Sequence, residues 1–336
     1  MKVATWQGDN RFTIDTAPEP VAGTGQVVVD VHAAGICGTD VHATQGLFPW
    51  KPPLVLGHEY TGVVREVGRG VPKSLVGRTV GCEPSYGCGK CAACRRGSEN
   101  ICAAPRHLGI NVDGGFASHV LVPHPRYLLP YAPLPAARAA ILMCSGLTSY
   151  AALKRLTDRT ACGPLLLVGV GGLGMMGLAL AQAMFQRATF VADIDPAKRE
   201  AALAAGAAMA FDPNDEGARK RLIVASDGGV YAACDFVGST QSLAFAIGAL
   251  AKGGKVVVAG LFGGSFAMPI AFFGLKAITI EGIQTGTLDE AREVLDLARG
   301  SSFRFPPLHE RPLGEAQAAL EALRAGQVVG RAVLIP

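Results

Sequence analysis

Charge is scarce in this chain. Only 17% of its 336 residues are Asp, Glu, Lys or Arg, against 49% hydrophobic residues, a balance that excludes a disordered chain. The 31 basic and 27 acidic side chains leave a net charge of +4 with no dense basic run, so no clustered nucleic-acid patch is visible. No uninterrupted apolar stretch reaches the ~18 residues a membrane span needs. Residues 1–10 are mixed, with no apolar secretory core, and the expectation is a cytoplasmic protein. There is no internal repeat and no low-complexity segment. Cysteine numbers nine, an odd count that argues against a disulfide framework and leaves thiols free to bind metal. Glycine is the abundant residue: 43 in all, without a collagen period, which points to turns and close backbone approaches. At ~150 residues per domain, the length suggests about two domains.

The two parts differ in character. Residues 27–122 read as short strands and turns, with Val27-Val28-Val29 and Thr61-Gly62-Val63-Val64 strand-like and His and Cys residues in the loops. Residues 136–153 are helix-forming. After them come six predicted strands with helices between: 165–170, 189–194, 207–211, 231–237, 255–260 and 277–282. The first is wholly apolar, as a parallel strand buried on both faces should be. The expected class is therefore α/β, with a doubly wound six-stranded parallel sheet beside a β-rich part. Asp195-Pro196 reads as a helix cap and first turn. Amphipathic helices are expected at 288–299 and 313–325, and a closing strand at 332–335.

Cys88-x2-Cys91-x2-Cys94-x7-Cys102 is the strongest local motif. Four thiolates within fifteen residues can wrap one tetrahedral zinc, and with every position filled that zinc is structural. Four ordinary buried thiols or an iron–sulfur cluster are the alternatives. Gly169-x-Gly171-Gly172-x-Gly174 follows an apolar strand and opens a helix, the context in which such a turn, with Leu173 inside it, binds a dinucleotide. The first glycine makes the turn, the second admits the pyrophosphate, and the third lets helix and strand pack closely. A tight turn with no ligand is the bland alternative. Asp193, about twenty residues on, can accept the ribose hydroxyls and repel a 2′-phosphate, so NAD is expected over NADP. Asp195 competes for that role but has the cap to serve. Leu261 and Phe262 end the predicted fifth strand, at the edge where ligands sit in such sheets, and are substrate-pocket candidates.

The third signal is dispersed: Cys37-Gly38-Thr39-Asp40-Val41-His42, Gly57-His58-Glu59 and Cys144-Ser145-Gly146-Leu147-Thr148. Singly, a Cys or His is more often packed than ligated. Together with the four-cysteine lobe and the glycine turn, they make the whole chain resemble the zinc-dependent medium-chain alcohol dehydrogenases. The resemblance implies a discontinuous GroES-like catalytic domain, 1–145 plus 287–336, with a zinc lobe at 82–105, and an NAD-binding Rossmann domain at 146–286. It implies two zinc ions per chain, the catalytic one held by Cys37, His58 and Cys144. Glu59 lies beside the metal in relatives and exchanges with water as a transient ligand. Asp40 resembles the carboxylate that orients the zinc-bound imidazole. Thr39 and His42 resemble the relay passing a proton from substrate oxygen through the cofactor ribose to water. Arg331 resembles a phosphate contact, Lys198 could reach the adenosine ribose, and Phe48 and Trp50 fall where relatives line the substrate channel.

Two departures are informative. Polyol dehydrogenases of the superfamily commonly carry Glu where Cys144 stands, which tilts the reading toward plain alcohols, aldehydes or ketones. Gly38 replaces an Arg that some relatives place on the cofactor phosphates. A polyol or sugar dehydrogenase and a non-catalytic NAD-binding zinc protein remain the alternatives. Relatives form dimers or tetramers by pairing the last strand of the nucleotide sheet, here 277–282.

Overall fold

Residues 27–35 begin with three valines and end on small residues, and they form the strand Val27–Gly35 at the centre of a β-rich unit. The computed structural model describes residues 1–47 and 50–336. Two compact units emerge, one of Met1–Leu147, Thr287–Gly300 and Pro307–Pro336, the other of Thr148–Gly286 and Ser301–Pro306.

In the first unit Val27–Gly35 pairs antiparallel with Glu59–Val67, His119–Val122 and the closing strand Arg331–Ile335. The sheet order is Leu128–Pro130, Thr79–Cys82, Glu59–Val67, Val27–Gly35, Arg331–Ile335 and Leu308–Pro312. A smaller sheet joins Phe12–Thr16, Lys2–Trp6 and Leu54–Val55. Tyr60, Leu56, Leu108 and Phe116 are fully buried in the core these sheets share. The helix Leu288–Ala298 starts at a capping box, with Thr287 Oγ1 accepting from Glu290 N and Glu290 Oε2 accepting from Thr287 N.

The second unit is the expected parallel sheet, in the order Met209–Phe211, Thr189–Ala192, Leu165–Val168, Val230–Asp235, Leu250–Val258 and Thr279–Gly282. All four residues of Leu165–Val168 are buried, because helices cover both faces. The order reverses on either side of this strand, which is where such sheets bind nucleotides. Asp195 caps the helix Pro196–Ala204, accepting from Ala197 N at 2.9 Å. Thr279–Gly282 is the edge strand.

One expectation needs refinement. The helix predicted over 136–153 is Ala136–Ala140, a π-helical turn Leu142–Gly146 and Leu147–Lys154, so it contains one wider turn. Its span, Ala136–Lys154, is 19 residues and is long and apolar enough to cross a membrane by length and composition alone. It is not an uninterrupted apolar run, since Arg138, Ser145, Thr148 and Ser149 fall within it. With 83% of its most apolar window buried, it is a core helix here.

Candidate active site

The strand Val27–Gly35 ends just before Cys37, and the chain turns at once into the helix Gly38–Thr44. Asp40 Oδ2 holds this turn by accepting from Cys37 N at 2.8 Å. The second segment is set by Gly57, at φ +93°, where a side chain would strike the Phe116 ring at 2.4 Å. His58 follows, and Glu59 begins the next strand. The third segment is the π turn, where Gly146 N donates to Ile141 O, a five-residue reach, and Cys144 sits in its middle. Turns of this kind widen a helix locally and recur at functional sites.

These segments converge. The ligand atoms of Cys37, His58, Glu59 and Cys144 all lie within 4.8 Å of one another, with Cys37 half-buried and the rest buried. Asp40 Oδ1 lies 3.3 Å from His58 Nδ1, which leaves the other ring nitrogen for a metal. Burial alone would depress the His58 pKa, but Asp40 and Cys37 together outweigh it and hold it well above its ordinary value. The hydrogen bond from Cys144 overcomes burial and pulls the Cys37 thiol well below its ordinary range. Cys144, giving that bond and buried, is pushed up. Burial raises Glu59 to about 7 against the opposing charge of Arg331. Two thiols, one imidazole and an open flank at Cys37 make a donor set that suits zinc with a position left for substrate. Thr39 is half-buried, its hydroxyl 3.7 Å from Cys37 Sγ. His42 is half-buried on the same helix, and burial lowers its pKa.

The four-cysteine cluster is separate and closed. Its sulfurs lie 3.5 Å (Cys91–Cys94), 3.9 Å (Cys88–Cys94) and 3.9 Å (Cys91–Cys102) apart. A tetrahedron with Zn–S bonds of ~2.3 Å has edges of roughly 3.8 Å, whereas a disulfide needs ~2.05 Å. Backbone N–H groups of Cys88, Cys91, Cys94 and Ala104 point at these sulfurs. Such donors favour thiolates: those of Ala103 and Cys94 lower Cys91 to about 6. The residues fit a structural zinc.

The glycine turn fits a pyrophosphate in the same way. Gly169 has φ +84°, and a side chain there would strike Val237 Cγ2 at 2.4 Å. A side chain at Gly174 would meet the Gly169 carbonyl oxygen at 1.8 Å. One at Gly171, by contrast, would enter open space, as a seat for phosphate requires. Gly171 caps the helix Gly172–Met184, whose first turn holds Leu173. Asp193 Oδ2 accepts from Val170 N at 2.8 Å, tying the carboxylate to the turn.

Residues 23–134 match the family described as alcohol dehydrogenase GroES-like domain, and residues 172–300 match zinc-binding dehydrogenase. Over 324 residues the chain is 37% identical to the NAD-dependent alcohol dehydrogenase of Saccharolobus solfataricus, covering 93% of this chain and 92% of that protein. The chain belongs to the zinc-dependent medium-chain alcohol dehydrogenase family. The alcohol dehydrogenase of Aeropyrum pernix superposes with a TM-score of 0.91 at 30% identity, each chain fully covered. The L-threonine 3-dehydrogenase of Pyrococcus horikoshii is 31% identical over 348 residues, covering 97% of this chain and 95% of that protein. At these identities the family and its oxidoreductase chemistry carry over, while the choice of alcohol does not.

Other members of the expected site fall differently. Arg331 is only 5% exposed and its guanidinium pairs with Glu59 Oε1, so its ion-pair partner is the carboxylate that converges with Cys37, His58 and Cys144. Nothing local in Gly330-Arg331 signals this, because 272 residues separate the pair. Lys198 Nζ lies 3.6 Å from Asp195 Oδ2 at the helix cap. Leu261 and Phe262 lie beyond the end of Leu250–Val258 and are 57% and 69% exposed. Trp50 is half-buried against the core of the first unit. Phe48 lies outside the described residues.

Proposed function

We propose that this chain is an NAD- and zinc-dependent dehydrogenase interconverting a primary or secondary alcohol with its aldehyde or ketone. The convergence of Cys37, His58 and Cys144, apart from a second and closed four-thiol cluster, carries this reading. Bound metal supplies Lewis-acid polarisation of the substrate oxygen, and the dinucleotide takes or returns the hydride. Cys37, His58 and Cys144 hold the metal. Asp40 fixes the His58 ring, and Glu59, paired with Arg331, stands beside the ligands as the exchangeable one. Thr39 holds the substrate proton and His42 passes it on, since hydroxyl and imidazole both donate and accept. Cys88, Cys91, Cys94 and Cys102 hold the structural zinc. Thr279–Gly282 offers an unpaired edge for a second copy, in keeping with a homodimer or homotetramer.

The reading is tested with a panel of apolar alcohols, polyols and L-threonine, using NAD and NADP on protein of measured zinc content. Turnover of apolar alcohols with NAD, lost on chelation, supports it. Preference for a polyol or threonine assigns another substrate class, and one zinc per chain without turnover favours a binding protein.

Two cofactor predictions arise here. Asp193→Ser should reduce the NAD-over-NADP ratio of kcat/KM by at least about tenfold, because a carboxylate repels a 2′-phosphate and a hydroxyl does not. Steady-state kinetics with both cofactors checks it. Gly171→Ala should leave the melting temperature within about 1 °C, since its methyl meets nothing, yet weaken NAD binding roughly tenfold or more by filling the phosphate seat. Differential scanning fluorimetry and calorimetric titration of NAD separate the two effects.

A further inference from the structure

The nucleotide-binding unit contains a buried carboxylate outside the glycine motif and its acidic partner. Asp235 ends the strand Val230–Asp235, directly opposite Val168, and is fully buried. Its Oδ1 accepts from Val237 N at 2.9 Å and Gly238 N at 3.0 Å. Its Oδ2 accepts from Ser242 Oγ at 2.9 Å. Ser242 Oγ in turn accepts from Ser239 N, the cap of the helix Thr240–Ala249, at 2.9 Å. One side chain thus holds both ends of the turn 236–239.

That turn packs against the glycine turn and the helix it opens. Val237 Cγ2 is the atom a side chain at Gly169 would strike, and the Phe236 ring lies where a side chain at Gly177 would go. The turn also carries the next crossing. Val237 O accepts from Phe262 N and Gly238 O from Gly263 N, both at 3.0 Å, and the Asp235 carbonyl accepts from Ala259 N and Gly260 N. There is little slack in this arrangement, since Gly238 sits at φ +70° with the Gly260 carbonyl oxygen 2.0 Å from where its Cβ would be.

We infer that Asp235 is a positioning residue for the cofactor: its carboxylate seats Val237 against Gly169, and through residues 259–263 it sets the neighbouring rim of the nucleotide site. The inference rests on the NAD-binding reading above. A buried carboxylate is unfavourable unless its oxygens are satisfied, and here they are spent on one turn, so removing them releases that turn first. Asn keeps an oxygen for the two N–H groups and presents an amide to Ser242, so it should preserve the seat.

The test is calorimetric titration of NAD into the full chain, with kinetics and amide hydrogen exchange alongside. Asp235→Ala is expected to raise the NAD dissociation constant at least tenfold and to keep kcat at saturating NAD within about threefold. Exchange should quicken at 169–174 and 236–239 but not in the first unit. Asp235→Asn should restore NAD affinity to within about threefold. If Asp235→Ala does not fold, Ser242→Ala removes one of the three bonds and should still weaken NAD about threefold. Wild-type affinity in the folded Ala variant, or in Ser242→Ala if that variant must serve, overturns the inference. So does a loss confined to kcat, or an Asn variant as weak as Ala. A wild-type chain that binds no NAD overturns the cofactor reading as well, which distinguishes the two failures.

Discussion

Replacing Cys37 with serine should lower kcat/KM by about a thousandfold or more and reduce zinc from two ions per chain to one. Lewis-acid polarisation of the reacting oxygen contributes several kcal/mol, and each ~1.4 kcal/mol is a factor of ten in rate. Serine is nearly isosteric but its hydroxyl does not ionise in this range, so the metal loses a thiolate where the cluster is least buried. The fold should survive, because the turn is held by Asp40 Oδ2 and the Cys37 main chain, which serine leaves intact. Kinetics, elemental analysis and a melting curve check this together. Unchanged turnover would remove Cys37 from the catalytic site.

Replacing Cys102 with serine should give the opposite pattern. Cys102 Sγ accepts from Cys88 N and Ala104 N and stands 3.9 Å from Cys91 Sγ, so it closes the lobe from its far end. Around it are only a four-residue helix, Ala92–Arg95, a single 3-10 turn, Glu99–Ile101, and a two-residue strand pair. Elements so short do not persist without the metal, because structural zinc binding is itself folding free energy. The loss should amount to several kcal/mol, and at roughly 2–4 °C per kcal/mol the melting temperature should fall about 10 °C or more. One zinc should again be lost, but turnover below the transition should remain within about threefold of wild type. A chain that loses turnover but not stability would reverse the two assignments.

Much of this site was legible in the residues themselves. Four cysteines within fifteen residues, three of them separated by two-residue gaps, are a local signal, because the loop that carries them must bend around one point. The glycine turn was legible for the same reason: strand, turn and helix are consecutive, with Gly169 and Gly174 answering close contacts and Gly171 left open. Asp195 at its helix cap followed a local capping rule. The convergence of Cys37, His58 and Cys144 was legible only through resemblance, since nothing within any one segment points to the other two.

Composition, periodicity and local spacing determined the class of the fold, the four-thiol lobe and the glycine turn. The chemistry there is set by residues close in the chain, where backbone geometry leaves few alternatives. Tertiary structure decided the rest. It placed a π turn inside a helix that reads as regular, because a single wider turn depends on what packs around it and not on helix propensity. It paired Arg331 with Glu59 across 272 residues, a consequence of the closing strand Arg331–Ile335 lying beside Val27–Gly35. It also buried Asp235 against a turn whose role is visible only when two parallel strands stand side by side. Contacts between distant segments arise from sheet order and register, and those are properties of the packed whole.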